Sequence, residues 1–186
     1  MATGLIRNAD SLNLSAAGVK VGPVVQIRVD KHQRSGQSHI WALGDVSSDR
    51  VLKHVANAEA RTVAANLLAG DGQLVATDHR YVPHAVFTDP QIASVGATEQ
   101  QLREWGTPYV VACQRYADVA YGWALEDEGH FVKLLADPRT WHLLGAHIIG
   151  PQAATLIQPM IQAMSLGNTV QGLACGPYWI YPALHA

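Results

Sequence analysis

The sequence predicts an α+β fold, and three stretches point there. Between residues 51 and 68 apolar positions recur at helical spacing: Val51, Leu52, Val55, Ala56, Val63, Ala64, Leu67 and Leu68. Residues 131–136 and 143–149 are apolar runs on either side of the polar stretch 137–142, the layout of an antiparallel hairpin. Residues 151–166 then place Leu156, Ile157, Met160, Ile161 and Met164 on one helical face. Strands in antiparallel hairpins with helices beside them make an α+β arrangement.

The elements follow in order. Residues 1–48 are expected to be short strands joined by turns at Gly18, Gly22-Pro23 and Ser35-Gly36. Val24 to Val29 alternates loosely, as a strand pair near a sheet edge does. Ile40-Trp41-Ala42-Leu43 reads as a short buried strand that Gly44-Asp45 stops. The helix over 51–68 has Ser47, Ser48 or Asp49 as its N-cap and Gly70 as its C-cap. Residues 71–80 read as a polar linker and divide the chain into segments 1–78 and 79–186. Strands are expected at 85–87 and 92–95, separated by Asp89-Pro90. Thr98 with Gln101 forms a capping box for a short helix that Gly106 ends, and a strand follows at 109–115. Pro151 suits a helix start, where its missing N–H costs nothing, and Pro159 should bend that helix. A last helical piece is expected near 169–174.

A length of 186 residues accommodates one domain plus a piece of another. With 48% apolar and 15% charged residues, the chain can bury a substantial core. A net charge of −2 with both signs scattered argues against a nucleic-acid partner. No apolar stretch reaches the roughly 18 residues of a membrane span. The N-terminus lacks a signal-peptide layout, so a cytoplasmic location is expected. Cys113 and Cys175 fit no metal or redox spacing and read as two small buried hydrophobes. Neither a C-x4-C pair nor a G-x-G-x-x-G loop is present. His32, His39, His79, His84, His130, His142 and His147 show no ligand spacing, and no metal is expected.

Gly44-Asp45 is the strongest candidate site. In open α/β sheets ligands collect outside the carboxyl ends of strands. Glycine lets something approach the backbone closely, and aspartate offers acceptors to a ribityl or ribose hydroxyl. An ordinary turn is the alternative for so short a motif.

With its neighbours, the segment resembles the flavin-binding signature of the FAD-dependent pyridine-nucleotide disulfide reductases. That family includes dihydrolipoamide dehydrogenase, glutathione reductase, mercuric reductase and mycothione reductase. Ala2-Thr3-Gly4 with Asn8 is similar to the family's A-T-G-R-x-P-N turn, though Leu5 and Arg7 stand where that pattern has Arg and Pro. Ala17-Gly18-Val19, residues 27–30 and Gly44-Asp45 follow in the family's order. Three runs resemble the mycothione reductase branch: residues 52–61, residues 118–124, and Tyr178-Trp179-Ile180 with Pro182-Ala183-Leu184.

The resemblance implies a C-terminal dimerisation domain, with an antiparallel sheet and helices, preceded by a partial FAD-binding α/β segment. It also implies roles for particular residues. Asp45 would bond the flavin's ribityl chain, and Gly44 would permit close approach. Lys53, His54, Val55 and Ala56 open a helix whose positive end would lie near the flavin's pyrimidine edge. His54 can equally be a capped surface histidine. The family's C-terminal motif is His-Pro with Glu five residues after the His, a proton-transfer pair supplied across the dimer. Here Tyr181 takes the His position, Pro182 matches, and Ala186 takes the Glu position. Tyrosine, with a reference pKa of about 10, is not an equivalent base at neutral pH, so Tyr181 is expected not to function as one. His185 is read as a terminal histidine rather than a displaced base, and the chain ends before the family's final helix. Tyr121, Trp123, Tyr178 and Trp179 suit either an interface or the domain core.

The functional expectation is the C-terminal part of an FAD- and NADPH-dependent reductase of mycothione, working as a homodimer on a small-molecule disulfide. Without a cysteine pair or dinucleotide fingerprints, the chain alone should not turn over. The alternatives are a non-catalytic dimerisation module, or a piece of a dihydrolipoamide dehydrogenase or mercuric reductase relative.

Overall fold

A computed structural model describes residues 4–22, 24–70 and 72–184. The expected features at Ala2-Thr3, Pro23, Asp71, His185 and Ala186 therefore lie outside the described residues. The chain divides into two compact units, Met1–His79 and Arg80–Ala186. Among the described residues, no helix is long and apolar enough to cross a membrane.

The first unit departs from the strand-rich reading. Its described residues hold one α-helix, α1 (Lys53–Leu68), two 3-10 turns (Asp10–Leu12 and Gly44–Val46), and no strand ladder. The expected α/β segment reduces to three isolated antiparallel bridges, Val21↔Ile27, Val29↔Ser35 and Arg34↔Trp41. Left-handed residues interrupt the extended runs, Val25 at φ 55° and Gln33 at φ 69°. Asp30 folds the chain back after Val29, its Oδ1 accepting from the backbone N–H groups of His32 (2.8 Å) and Arg34 (3.0 Å). The small core is Ala9, Val19, Ile27 and Ala42, flanked by Leu14, Val29, Ile40 and Val46.

Helix α1 also differs from expectation. Its N-cap is Leu52, with no side-chain cap. Ser48 Oγ accepts instead from Arg50 N at 3.2 Å, and Asp49 Oδ1 from Gln26 Nε2 at 2.9 Å. The buried face is Val55, Glu59, Thr62, Val63 and Asn66, more polar than apolar, while Val51, Leu67 and Leu68 are exposed. Gly70, at φ 56°, follows the C-cap Ala69 and turns the chain. The stretch expected to be a linker is pinned down. Val75 N donates to Asn66 Oδ1 at 2.8 Å, Asn66 Nδ2 donates to Val75 O (3.0 Å) and His32 O (3.1 Å), and Thr77 N donates to Lys31 O (2.9 Å).

The second unit is a five-stranded antiparallel sheet in the order β1-β2-β5-β4-β3. The strands are β1 (His84–Val86), β2 (Ile92–Gly96), β3 (Val110–Arg115), β4 (Phe131–Ala136) and β5 (Leu143–Ile149). The hairpin predicted around 137–142 is present, with a register shift at Leu135/Ala136 and Asp137 Oδ1 accepting from Arg139 N (2.7 Å) and Thr140 N (3.2 Å). Helix α2 (Glu99–Glu104) carries the full capping box of Thr98 and Gln101.

A 3-10 turn (Tyr116–Asp118) and α3 (Ala120–Ala124) fill a stretch where no element is expected from local pattern. The single helix expected over 151–166 is two, α4 (Ala153–Leu156) and α5 (Gln158–Leu166). Pro151 precedes the left-handed N-cap Gln152, and Pro159 lies in the first turn of α5. A proline there lacks an N–H that would be unpaired anyway, so the chain restarts a helix rather than bending one. Helix α6 (Val170–Cys175) has Thr169 Oγ1 accepting from Gly172 N at 3.1 Å.

Ala93, Val95, Ala146 and Ile148 from the sheet pack with Leu156, Ile157 and Met164 from the helices in the main core. Cys113 and Cys175 are exposed rather than buried: every residue of edge strand β3 is exposed, and α6 buries none. Tyr121, Trp123 and Tyr178 are exposed too, which removes the domain-core reading for those three in this chain, whereas Trp179 is half-buried and donates through Nε1 to Ala174 O at 3.2 Å.

Candidate functional site

The Gly44–Asp45 turn follows an extended Leu43 (φ −149°, ψ 163°). The residues before it make a single bridge, at Trp41, rather than a strand, and only Ala42 among residues 40–43 is buried. Two facts favour glycine at position 44. Its φ is 71°, and an added Cβ would sit 3.2 Å from the Ala56 methyl. Gly44 O accepts from Ser47 N (2.9 Å) and Ser48 N (2.8 Å). Arg7 closes the other side, with Nε donating to Asp45 O (2.7 Å) and Nη2 to Ser48 O (3.0 Å). Arg7, one of the two positions that depart from the family's A-T-G-R-x-P-N turn, therefore helps to hold this one.

The Asp45 carboxylate is exposed and takes no hydrogen bond among the described residues. Lys53 and His54 are exposed on the first turn of α1, whereas Val55 is buried and Ala56 is half-buried against Gly44. Leu52, the N-cap of α1, supplies no side-chain cap to the first turn of that helix. A surface acceptor beside an uncapped helix start fits a ligand carrying both hydroxyl donors and electron-rich acceptors.

Beneath the turn lies Glu59, a residue to which the sequence analysis assigns no role. Glu59 is 1% exposed; its Oε2 accepts from Gly44 N at 2.6 Å, and its Oε1 is 3.1 Å from His79 Nε2. One signal was available: Glu59 stands four residues after Val55 and four before Val63, on the face that helical spacing buries. A cavity of about 400 Å³ lies beside this pair, lined among others by Gln33, Ser48, Asp49, Arg50, Glu59 and His79. Asp45 is not among its walls.

In the second unit Tyr181 is 75% exposed, and position 186, where the resemblance puts its Glu counterpart, lies outside the described residues. Two ionic clusters stand elsewhere in that unit. Glu99 meets Lys133, Tyr109 (2.9 Å) and Arg103 (2.5 Å), and these bonds, Lys133 first, hold its carboxyl down to about 2. Asp127 bonds His130 Nδ1 at 2.5 Å; burial works against its charge, but His130 and the backbone amides prevail and keep its pKa low. Burial, helped by the Asp127 charge, pushes the Tyr116 phenol up to about 12. Burial likewise lowers the pKa of His147, which lies between Ser94 Oγ (3.1 Å) and Ala97 O (3.0 Å). Among the described residues, no group of three or more His, Cys, Asp or Glu is placed to hold a metal ion.

Comparison with known proteins bears on both units. A family model described as the dimerisation domain of pyridine nucleotide-disulphide oxidoreductases matches residues 82–186. A mycothione reductase of Mycobacterium tuberculosis is 55% identical over 189 residues, covering 99% of this chain and 40% of that protein. A dihydrolipoyl dehydrogenase of Mycobacterium bovis is 38% identical, covering 93% of this chain and 37% of its own length. Among solved structures, the HOCl-induced flavoprotein disulfide reductase RclA of Escherichia coli superposes with a TM-score of 0.88 at 26% identity, over 99% of this chain and 42% of that one. LpdA of Mycobacterium tuberculosis gives a TM-score of 0.87 at 27% identity, over 97% of this chain and 39% of its own. The chain thus spans about 40% of the length of the curated mycothione reductase it matches. The α+β fold and the antiparallel sheet are those of the disulfide reductases' pairing region, and the chain belongs to the pyridine nucleotide-disulphide oxidoreductase family, with its dimerisation domain in residues 82–186.

Proposed function

We propose that this chain is the flavin-contacting and pairing portion of an FAD- and NADPH-dependent disulfide reductase that reduces mycothione to mycothiol. The observation that carries the flavin part is the Asp45 carboxylate, exposed and without a hydrogen bond among the described residues, on a turn that Gly44, Arg7 and Glu59 hold in place. In this reading Asp45 accepts hydrogen bonds from ribityl hydroxyls. Gly44 leaves room for close approach, and Lys53 and His54 present the start of α1 to the electron-rich edge of the ring. Ala56 lies under Gly44 and limits how close the turn can come, and Val55 is buried beside it in the first turn of α1. FAD, when bound, supplies the redox chemistry between a nicotinamide and a disulfide. Residues 1–78 are then the last part of an FAD-binding domain and residues 79–186 the pairing domain.

The mycothione assignment is supported by the 55% identity, against 38% for the dihydrolipoyl dehydrogenase. We place the protein in the cytoplasm, as a homodimer. The exposed Tyr121, Trp123 and Leu125 suit the apolar part of a pairing surface. Thiol–disulfide exchange requires a cysteine pair, and Cys113 and Cys175 are both free. We therefore expect no turnover from these residues alone.

A second reading, a pairing module without catalysis, is favoured by that absent pair and by Tyr181. FAD titration followed by visible absorbance, with light scattering on the same sample, separates the two. The reductase reading predicts that the chain binds FAD and that Asp45→Asn weakens binding about tenfold, the worth of one charge-assisted hydrogen bond. A dimer that takes up no FAD belongs to the second reading, and a monomer contradicts the pairing claim of both.

A further inference from the structure

We infer that Glu59 is a positioning residue for the flavin-contacting turn, acting through the Gly44 amide. The inference rests on the flavin reading of Asp45 given above. A carboxylate that is 1% exposed is costly unless its oxygens are hydrogen-bonded, and here both are engaged. Oε2 takes the Gly44 N–H at 2.6 Å, short in the manner of a charge-assisted bond, and Oε1 meets His79 Nε2 at 3.1 Å.

The geometry explains why a carboxylate is used there. An apolar side chain would fill this place on α1 without the desolvation cost, so what the carboxylate adds is direction. Gly44 is held at both ends of its peptide unit: its N–H by Glu59 and its carbonyl by Ser47 and Ser48. Ala56, three residues before Glu59 on the same helix, sets how close the turn can come. Helix α1 therefore carries three parts of the site at once: the exposed first turn, the methyl under Gly44, and the acceptor that fixes its amide. Because Asp45 is the next residue, the bond to Gly44 sets where its carboxylate points.

The test uses the full chain, isotope-labelled, with FAD as the probe. In the wild type, a through-hydrogen-bond coupling is expected between the Gly44 amide nitrogen and the Glu59 side-chain carboxyl carbon. Its absence overturns the inference without any variant being made. Glu59→Leu should remove exchange protection at Gly44 and weaken FAD binding about tenfold. Glu59→Gln, whose amide oxygen can still accept from Gly44 N, should retain protection and bind FAD within about threefold of wild type. Such rescue would not follow from a packing role, which leucine fills as well as glutamine. If Glu59→Leu leaves Gly44 protection or FAD affinity unchanged, Glu59 does not position the turn. If Glu59→Leu does not fold, the wild-type coupling and the Glu59→Gln affinity decide. An Asp45→Asn chain that binds FAD as the wild type does would instead remove the flavin reading itself.

Discussion

In the second unit, β2, β4 and β5 bury Ala93, Val95, Leu135, Ala146 and Ile148 inside a continuous hydrogen-bonded ladder. In the first, the buried face of α1 is Val55 and Val63 interleaved with Glu59, Thr62 and Asn66, and the chain around it pairs only through isolated bridges. A ladder satisfies its own backbone, so its side chains are free to be apolar. Where the ladder is missing, side chains take over backbone groups one by one: Arg7, Gln26, Glu59 and Asn66 each bond main-chain atoms more than eight residues away. The unit carrying the candidate flavin contact is therefore the one whose geometry depends on a few polar residues, and the apolar-packed unit is the one with the family's pairing role.

That contrast can be broken by mutation. The largest effect is expected from Ile148→Ala, in the main core, at about 2–5 kcal/mol by urea denaturation. Ile27→Ala, in the four-residue core of the first unit, should cost less than half as much, because a small cluster relaxes around the gap more readily. Equal costs would show that the two cores are packed alike. Next comes Asn66→Ala, which removes three hydrogen bonds to residues 32 and 75. It should cost about 1–3 kcal/mol and speed amide exchange at Val75. An unchanged exchange rate would mean that residues 72–79 are held by something else.

Two smaller effects sharpen the account of the second unit. Thr98→Ala should cost about 1 kcal/mol by removing the capping box of α2, read out as a lowered urea midpoint. Glu99 has a folded pKa of about 2 against an ordinary 4.5, so its contribution is complete above 4.5 and is lost as pH falls toward 2. Glu99→Gln should flatten the fall in stability over that window. Asp118, Asp127 and Asp137, which are also lowered, keep a residual slope. A wild-type curve identical to that of Glu99→Gln would show that solvent screens the Lys133–Glu99–Arg103 cluster fully.

The two units were also unequally legible in the sequence. Strands β2, β4 and β5 and the capping box at Thr98 could be read because local pattern and tertiary role agree there. Residues 1–48 misled because short apolar runs signal extended chain without saying whether a partner extends the pairing, and left-handed Val25 and Gln33 are not glycine or asparagine. Pro159 was placed in the right helical stretch but in the wrong register, since a proline fits the first turn of a new helix as well as it bends an old one. Cys113 looked like a buried hydrophobe, but it lies on an edge strand exposed along its whole length. Gly44 and Asp45 were visible as a pair. Glu59 was passed over because a charged residue on a helix is ordinarily solvated, and its value lies in a contact 15 residues away.

The central claim, that this chain meets flavin through the Gly44–Asp45 turn and the start of α1 and not through its sheet, is tested most directly by mapping backbone amide shifts as FAD is titrated into the labelled chain. The account predicts changes concentrated at Gly44, Asp45 and Lys53 to Ala56, with Val110–Arg115 of β3 unmoved. Changes centred on the sheet, or none at those six residues at saturating FAD, would contradict it.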